Sequence, residues 1–401
     1  MSTPKVSILV PCYNVEKYLR ECMDSIVNQT LCDIQIICIN DGSTDSTLSI
    51  LQEYAAKDPR VEIIDKANSG YGDSMNRGIE RATGEYLGIV ESDDYVELTM
   101  FETLYNAAVK NKLDVVKTGF YLYSTQPEVK NEPMRLTAKI AGKSIFCPLT
   151  DFSNPKKQLE FFKSTAAIWS AIYRREFIMR HGIRFNETPG ASYQDVGFCF
   201  KTWIKAKRVQ FLDVCMLHYR IDNAQSSVHN PGKVYCICDE YEEMERFLRA
   251  DVDQLENTMP ILASMKYEDY LWNYERLSET LREAFLQRFY EELKRHKEEG
   301  TLRRSYFSWY DWNNIQKLLL DPDHYHKIQC QKLRGEASSD FYDAYPQHRP
   351  IKIKSLYYLT ENIAGFARYL ETQGLQNTVN LFVSKVKGRL PKEKTREKDH
   401  V

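Results

Sequence analysis

Between Val6 and Val116, short β-rich apolar runs alternate with amphipathic stretches, a pattern that few folds accommodate. The runs Val6–Val10, Ile34–Ile39, Val61–Ile64, Tyr86–Val90 and Val115–Thr118 read as strands. The stretches Glu16–Gln29, Asp45–Ala56, Tyr71–Ala82 and Leu98–Asn111 place apolar residues at helical spacing. Continuous Ile/Val/Leu strands joined by helices predict an α/β fold with a mostly parallel sheet covered on both faces. Ligands of such sheets sit beyond the carboxyl ends of the strands. That places chemistry at Pro11-Cys12-Tyr13-Asn14, at Asn40-Asp41-Gly42-Ser43-Thr44-Asp45, and at Glu91-Ser92-Asp93-Asp94.

Beyond Phe120 the pattern blurs into loop and edge strands as far as Leu149, and compact structure resumes from Leu159 to His218. From Lys233 helical periodicity dominates, as in Tyr267, Tyr270, Leu271, Tyr274 and Leu277. The expected organisation is an α/β domain over residues 1–230 and a helical domain over 231–401. A chain of 401 residues with 43% hydrophobic and 27% charged content has room for both. Its net charge of −2, with the two signs interspersed, argues against a nucleic-acid partner. The ten cysteines are scattered, and Cys236 and Cys238 lack the spacer of a zinc or redox motif, so reduced thiols in a cytoplasmic protein are expected. No apolar run approaches the roughly 20 residues of a membrane span, which predicts a protein not integral to a membrane.

Each motif has a plain reading and a chemical one. Gly42 permits a tight turn and Asp45 or Ser46 suits a helix N-cap, while Asp41 at a strand end could accept a hydrogen bond from a nucleotide base. Asp93 and Asp94 could be a solvated acidic loop, or hard oxygen ligands for Mg²⁺ or Mn²⁺ bridging to a diphosphate. Asp195, a lone Asp after a turn, reads by itself as a helix N-cap. Three strand ends carrying these turns in order favour the chemical readings together.

The ordered segments VSILVPCYNVEKYLRECMDSIVNQT, IICINDGSTDST, NSGYGDSMNRGIERATGEYLGIVESDD, IWSAIYRREFI, Gln194-Asp195 and HYRIDNAQSSV resemble the family 2 glycosyltransferases, which have the GT-A fold. The resemblance implies that Pro11, Tyr13, Asn14, Asp41, Asn76 and Asp93 hold a nucleoside, usually uridine. It implies that Asp94 ligates Mn²⁺ or Mg²⁺, and that Asp195 is the general base of an inverting transfer to an acceptor hydroxyl. His218, Arg220 and His229 would lie near the metal or diphosphate, and Trp169 and Gln194 near the acceptor. Glu91 stands where Asp is commoner, Gln194 replaces a Glu, and Gly70-Tyr71-Gly72 with Met75 departs from the family's usual Ala-Arg pair before Asn76.

The resemblance thus implies a nucleotide-sugar donor, a glycan or lipid-linked acceptor and a place in cell-surface polysaccharide synthesis. A silent nucleotide- or glycan-binding protein of the same fold is the alternative. No Gln-x-x-Arg-Trp motif points to a processive synthase, and no Gly-x-Gly-x-x-Gly turn points to a dehydrogenase. In the helical part, Trp272, Trp309 and Trp312 read as interhelical core, acceptor groove or dimer face. At the tail, Leu375, Val379, Phe382, Val383 and Val386 share a helical face ahead of a Lys/Arg run from Lys385 to Lys398, suited to peripheral contact with an anionic membrane.

Overall fold

A computed structural model of the chain describes residues 3–136, 145–152, 154–163, 167–223, 234–251 and 255–350. The strands are β1 (Val6–Cys12), β2 (Ile34–Asp41), β3 (Val61–Lys66), β4 (Tyr86–Ile89), β5 (Tyr95–Val96), β6 (Val115–Ser124), β7 (Lys130–Met134), β8 (Ala171–Arg174) and β9 (Val209–Arg220). They form a sheet in the order β3-β2-β1-β4-β8-β6-β9-β5, with β7 added on β6. The first four, with α1 (Leu19–Val27), α2 (Thr47–Lys57) and α3 (Tyr71–Arg81) between them, form the parallel half that the periodicity predicts. Every residue of β1 and β2 is buried, as expected of strands covered on both faces. Leu19, Cys22, Met23 and Ile26 of α1 pack on Val6, Ile8, Val10 and Ile36 in one core. Each such fully buried aliphatic side chain contributes about 1.5–3 kcal/mol relative to an exposed one.

The other half is mixed. After α4 (Met100–Asn111), β6 does not pair with β4; the short β8 inserts between them, antiparallel to both. Four residues, the first three all buried, are too few for periodicity to mark as a strand in the aromatic run around Trp169. β9 runs parallel to β6, and its end is pinned antiparallel to the two-residue β5, with Tyr95 opposite His218. The acidic turn between β4 and β5 is thereby fixed beside the last residues of β9.

Contacts divide the chain into two compact units, one up to Phe307 and one from Ser308. The first unit includes α5 (Pro155–Lys163), α6 (Arg175–Arg180), α7 (Gln194–Lys205), α8 (Cys236–Arg249), α9 (Leu255–Arg276) and α10 (Glu279–Glu298). Tyr241, Tyr267, Tyr270, Tyr274, Phe285 and Phe289 form an aromatic core among the last three helices. The second unit, described over 308–350, holds α11 (Trp309–Leu320), capped by the Ser308 hydroxyl, and α12 (Pro322–Leu333), capped by Asp321. The basic tail expected after Leu375 lies outside the described residues. Among the described residues no helix is long and apolar enough to cross a membrane.

Gly70 and Gly72 are required by packing. Gly70 has φ +96°, and a Cβ on Gly72 would lie 1.9 Å from the main-chain oxygen of Asn186. The start of α3 thus rests directly on the 186–190 segment, where the Tyr71 N–H donates to the Gly190 carbonyl over 3.0 Å. Gly72→Ala should lower stability by about 1–3 kcal/mol through overpacking against backbone, read as a lower urea midpoint with an unchanged m-value.

Candidate active site

The ends of β1 and β2 are laced together by short polar side chains. Asn14, at φ +52°, accepts from the Thr44 N–H through Oδ1 (2.8 Å), and its own N–H donates to Ser43 Oγ (3.1 Å). Val15 N–H donates to Thr47 Oγ1 at 2.9 Å, and Asp45 accepts from Glu16 N–H at 3.1 Å. Pro11 is buried in β1, whereas Tyr13 projects from this lacework with 52% of its surface exposed.

Asp41, at the end of β2, is buried and already well partnered. Its oxygens accept from Ser69 N–H (2.9 Å), from Gly70 N–H (3.0 Å) and from the Lys66 ammonium. Lys66 also pairs with Asp73 at 3.0 Å. Asn76 on α3 clamps the segment leading to Asp195: its amide donates to Phe185 O (3.0 Å) and Glu187 Oε1 (2.9 Å), and Phe185 N–H donates to Asn76 Oδ1 (2.9 Å).

The acidic turn after β4 concentrates charge. Asp94 is almost fully buried; its Oδ1 accepts from the Arg220 N–H at 2.8 Å, while its Oδ2 is buried with no hydrogen-bond partner. Burial and the adjacent Asp93 carboxylate push Asp94 well above the ordinary carboxylate range. Asp93 accepts from the Asn223 amide at 2.8 Å. Glu91 accepts from the Tyr71 hydroxyl at 2.7 Å. It is nevertheless raised to about 8, first by burial and then by Asp93 and Asp195. An orphaned buried carboxylate oxygen among hard oxygen donors is the environment a divalent cation such as Mg²⁺ or Mn²⁺ relieves, so these residues fit one.

Asp195 opens α7, in the first turn of the helix. Its carboxyl is raised to about 6 by burial, partly offset by main-chain N–H groups of the helix start and augmented by the charge of Asp269. Gln194 bonds within its own turn. Its Oε1 accepts from the Ser192 N–H, and its amide donates to Thr188 Oγ1 at 2.9 Å, closing the turn ahead of the helix. Glu91, Asp93, Asp94 and Asp195 are thus gathered at one edge of the sheet: Asp93 acts on Glu91 and Asp94, Glu91 on Asp94, and Asp195 on Glu91.

The other expected residues lie around this edge with partners of their own. His218 is buried, stacked between Tyr95 and Tyr121 (centroids 4.1 and 4.7 Å), with ring nitrogens 2.9 Å from Asn131 Oδ1 and from Glu97 Oε1. The Arg220 side chain donates to the Asp93 carbonyl (2.9 Å) and to Glu21. Trp169 stacks on Tyr219 at 5.1 Å and meets Phe120 edge-on. His229 lies outside the described residues. Lys66, Tyr71 and Asn223 enter the site without having been singled out by sequence; the Gly-Tyr-Gly departure flagged their neighbourhood, but no local pattern marks a lysine at a strand end as the partner of Asp41.

A separate cluster, Glu245, Glu292 and His296 on α8 and α10, has the residue types of a metal site. Its carboxylates already pair with Lys266 (3.3 and 2.8 Å) and Arg295 (2.6 and 2.7 Å). Burial and these two cations depress His296 to about 3. The cluster is an ion-pair network that ties the helices together.

Residues 7–181 match the model of Glycosyl transferase family 2. The chain is 36% identical over 230 residues to the uncharacterized glycosyltransferase EpsJ of Bacillus subtilis (strain 168), covering 57% of this chain and 64% of that protein. It is 32% identical over 241 residues to the uncharacterized glycosyltransferase YibD of Escherichia coli (strain K12), covering 58% and 66%. The chain therefore spans less than two thirds of the length of these relatives. The crystal structure of S. aureus TarS 1-349 in complex with UDP-GlcNAc superposes with a TM-score of 0.62 at 18% identity, over 83% of this chain and 92% of that one. The shared fold is the GT-A architecture implied by the sequence.

A carboxyl held at about 6 in the fold, against an ordinary value of 3.8, favours the folded state only while protonated. That contribution is complete below about pH 4 and lost as pH rises through 6. Asp195→Asn should therefore raise stability by up to about 3 kcal/mol at pH 8 and change it little below pH 4, measured by urea denaturation at both pH values.

Proposed function

We propose that the chain is an inverting, metal-dependent glycosyltransferase that moves a sugar from a UDP-sugar to a hydroxyl of a glycan or glycolipid acceptor. The observation that carries the reading is the gathering of Asp94, with an unpartnered buried oxygen, and Asp195, raised to about 6, at the same sheet edge. The match of residues 7–181 to the family model and the fold shared with TarS, described with UDP-GlcNAc, support the donor class.

In this reading the β1 and β2 turns, with Tyr13, Asn14 and Asp41, frame the nucleoside. The Ser69 and Gly70 N–H groups and Lys66 hold Asp41 in place, so a base N–H shares oxygens that are already oriented. Asp94, with Asp93, would hold the divalent cation, which supplies charge neutralisation for the departing diphosphate. Asp195 takes the proton from the acceptor hydroxyl through a carboxylate oxygen. A pKa near 6 leaves it mostly ionised at neutral pH yet far more basic than an ordinary Asp, which suits a general base. Attack from the face opposite the leaving group inverts the anomeric centre. The acceptor belongs, in this proposal, to a cell-surface polysaccharide precursor at the cytoplasmic face of the membrane.

UDP release from a panel of UDP-sugars with Mn²⁺ tests the reading. Slow release from one donor is expected, abolished in Asp94→Ala. With an acceptor present, Asp195→Asn should reduce transfer by about 10²–10⁴-fold, and wild-type kcat/KM should rise with pH through about 6. Neither release nor donor binding across the panel would leave a silent binder, or a donor other than a UDP-sugar, as the better description.

A further inference from the structure

The residue two places before Asp195 has an unusual backbone. Tyr193 occupies the left-handed region at φ +60°, which a non-glycine residue adopts at a cost of about 1–2 kcal/mol. Such strain persists where surrounding structure holds it, and it concentrates at functional sites. What Tyr193 meets is α9: its ring lies edge-on to Trp272, with centroids 6.2 Å apart and an interplanar angle of 82°. Trp272 is 47% exposed although it sits on a helix whose other aromatic residues, Tyr267, Tyr270 and Tyr274, are buried. The Arg276 guanidinium lies over its ring at 5.1 Å, and Arg276 also acts on the Tyr193 hydroxyl.

Asp269, Trp272 and Arg276 fall at i, i+3 and i+7 of α9 and so share one helical face. Asp269 is among the charges felt by Asp195. This face therefore looks toward the start of α7, where the proposed base sits. A group bound on this face lies near the proposed base, to which, in the transferase reading, the acceptor hydroxyl must come.

We propose that Trp272, with Tyr193 and Arg276, forms an acceptor subsite that takes a pyranose ring of a glycan. The chemistry selects a sugar. The π face of an indole is electron-rich, and the axial C–H groups of a pyranose present a flat, weakly positive face that stacks on it. Arg276, whose guanidinium lies over the indole, and the Tyr193 hydroxyl supply hydrogen-bonding groups for the pyranose hydroxyls. An aromatic platform flanked by a few polar groups is the composition that fixes a ligand's orientation. The subsite rests on the reading of Asp195 as the base, and it extends that reading into the helical part of the first unit.

The test titrates the full chain with cellobiose, di-N-acetylchitobiose and lactose, following binding by saturation-transfer NMR and by tryptophan fluorescence. UDP release by the wild type is measured alongside. At least one disaccharide is expected to bind the wild type in the millimolar range. Trp272→Ala should weaken it by about tenfold or more, equivalent to about 1.4 kcal/mol. Trp272→Phe, which keeps an aromatic face and guards against misfolding of the alanine variant, should retain binding by NMR while losing most of the fluorescence response. Failure of all three disaccharides to bind the wild type, or equal binding by Trp272→Ala, overturns the subsite. UDP release without disaccharide binding sinks the subsite alone; disaccharide binding without UDP release sinks the UDP-sugar reading and leaves Trp272 as a glycan-binding site with no acceptor role shown.

Discussion

Arg220 is the residue on which the geometry of the acidic turn depends. Three of its groups act at once: the main-chain N–H fixes Asp94 Oδ1, Nε holds the Asp93 carbonyl, and the guanidinium reaches Glu21. Its guanidinium also lies over Tyr18 and Tyr123, 4.6 and 4.9 Å from their centroids, and 3.6 Å from Asp222. Clustered carboxylates repel one another, and in a buried setting that repulsion is poorly screened. A single buried cation tied to two aromatic faces and two further carboxylates offsets part of it without hydrogen-bonding Asp94 Oδ2. The sheet topology places the arginine: the pairing of β9 with β5 brings Arg220 level with the turn, which sequence order alone, more than 120 residues apart, does not suggest.

The remaining charge is left partly uncompensated, and this is informative. Glu91, Asp94 and Asp195 are all raised by burial, so the fold would be better served by neutral residues at each position. By contrast, Glu245 and Glu292 in the helical part lie below their ordinary range because Arg295 and Lys266 neutralise them. Both clusters are acidic, yet only one is balanced by its own side chains. A balanced cluster holds helices together; an unbalanced one stores the capacity to bind a cation and accept a proton. That difference, rather than residue type, separates the candidate active site from the structural network.

Much of this was legible in the sequence, for definite physical reasons. The parallel half of the sheet was predictable because β1 and β2 are buried on both faces and so carry unbroken apolar runs. The strand-end turns were found because a parallel sheet sends all its carboxyl ends to one edge. β8 escaped because four residues between a 3₁₀ turn and α6 have no measurable period. The partners of the site residues escaped for a different reason. Lys66 with Asp41 is a cross-strand pair of β2 and β3, whereas Tyr71 with Glu91 and Asn76 with Glu187 are contacts made from α3, whose position depends on how closely it approaches the 186–190 segment.

That approach is itself encoded, though not as a periodicity. Gly70 and Gly72 bracket Tyr71, and each is the residue that allows backbone to touch backbone at Thr188, Gly190 and Asn186. Any side chain there would push α3 outward, moving the Tyr71 hydroxyl from Glu91 and the Asn76 amide from Phe185. Because Phe185 to Gln194 leads into α7, the same displacement would shift Asp195 relative to Asp94. The two glycines, far from Asp195 in sequence, thus set the separation between the proposed base and the acidic turn. The sequence departure at Gly70-Tyr71-Gly72 is therefore best understood as a spacing element, with Tyr71 carried along to the one carboxylate, Glu91, that is longer than the Asp commoner at that position.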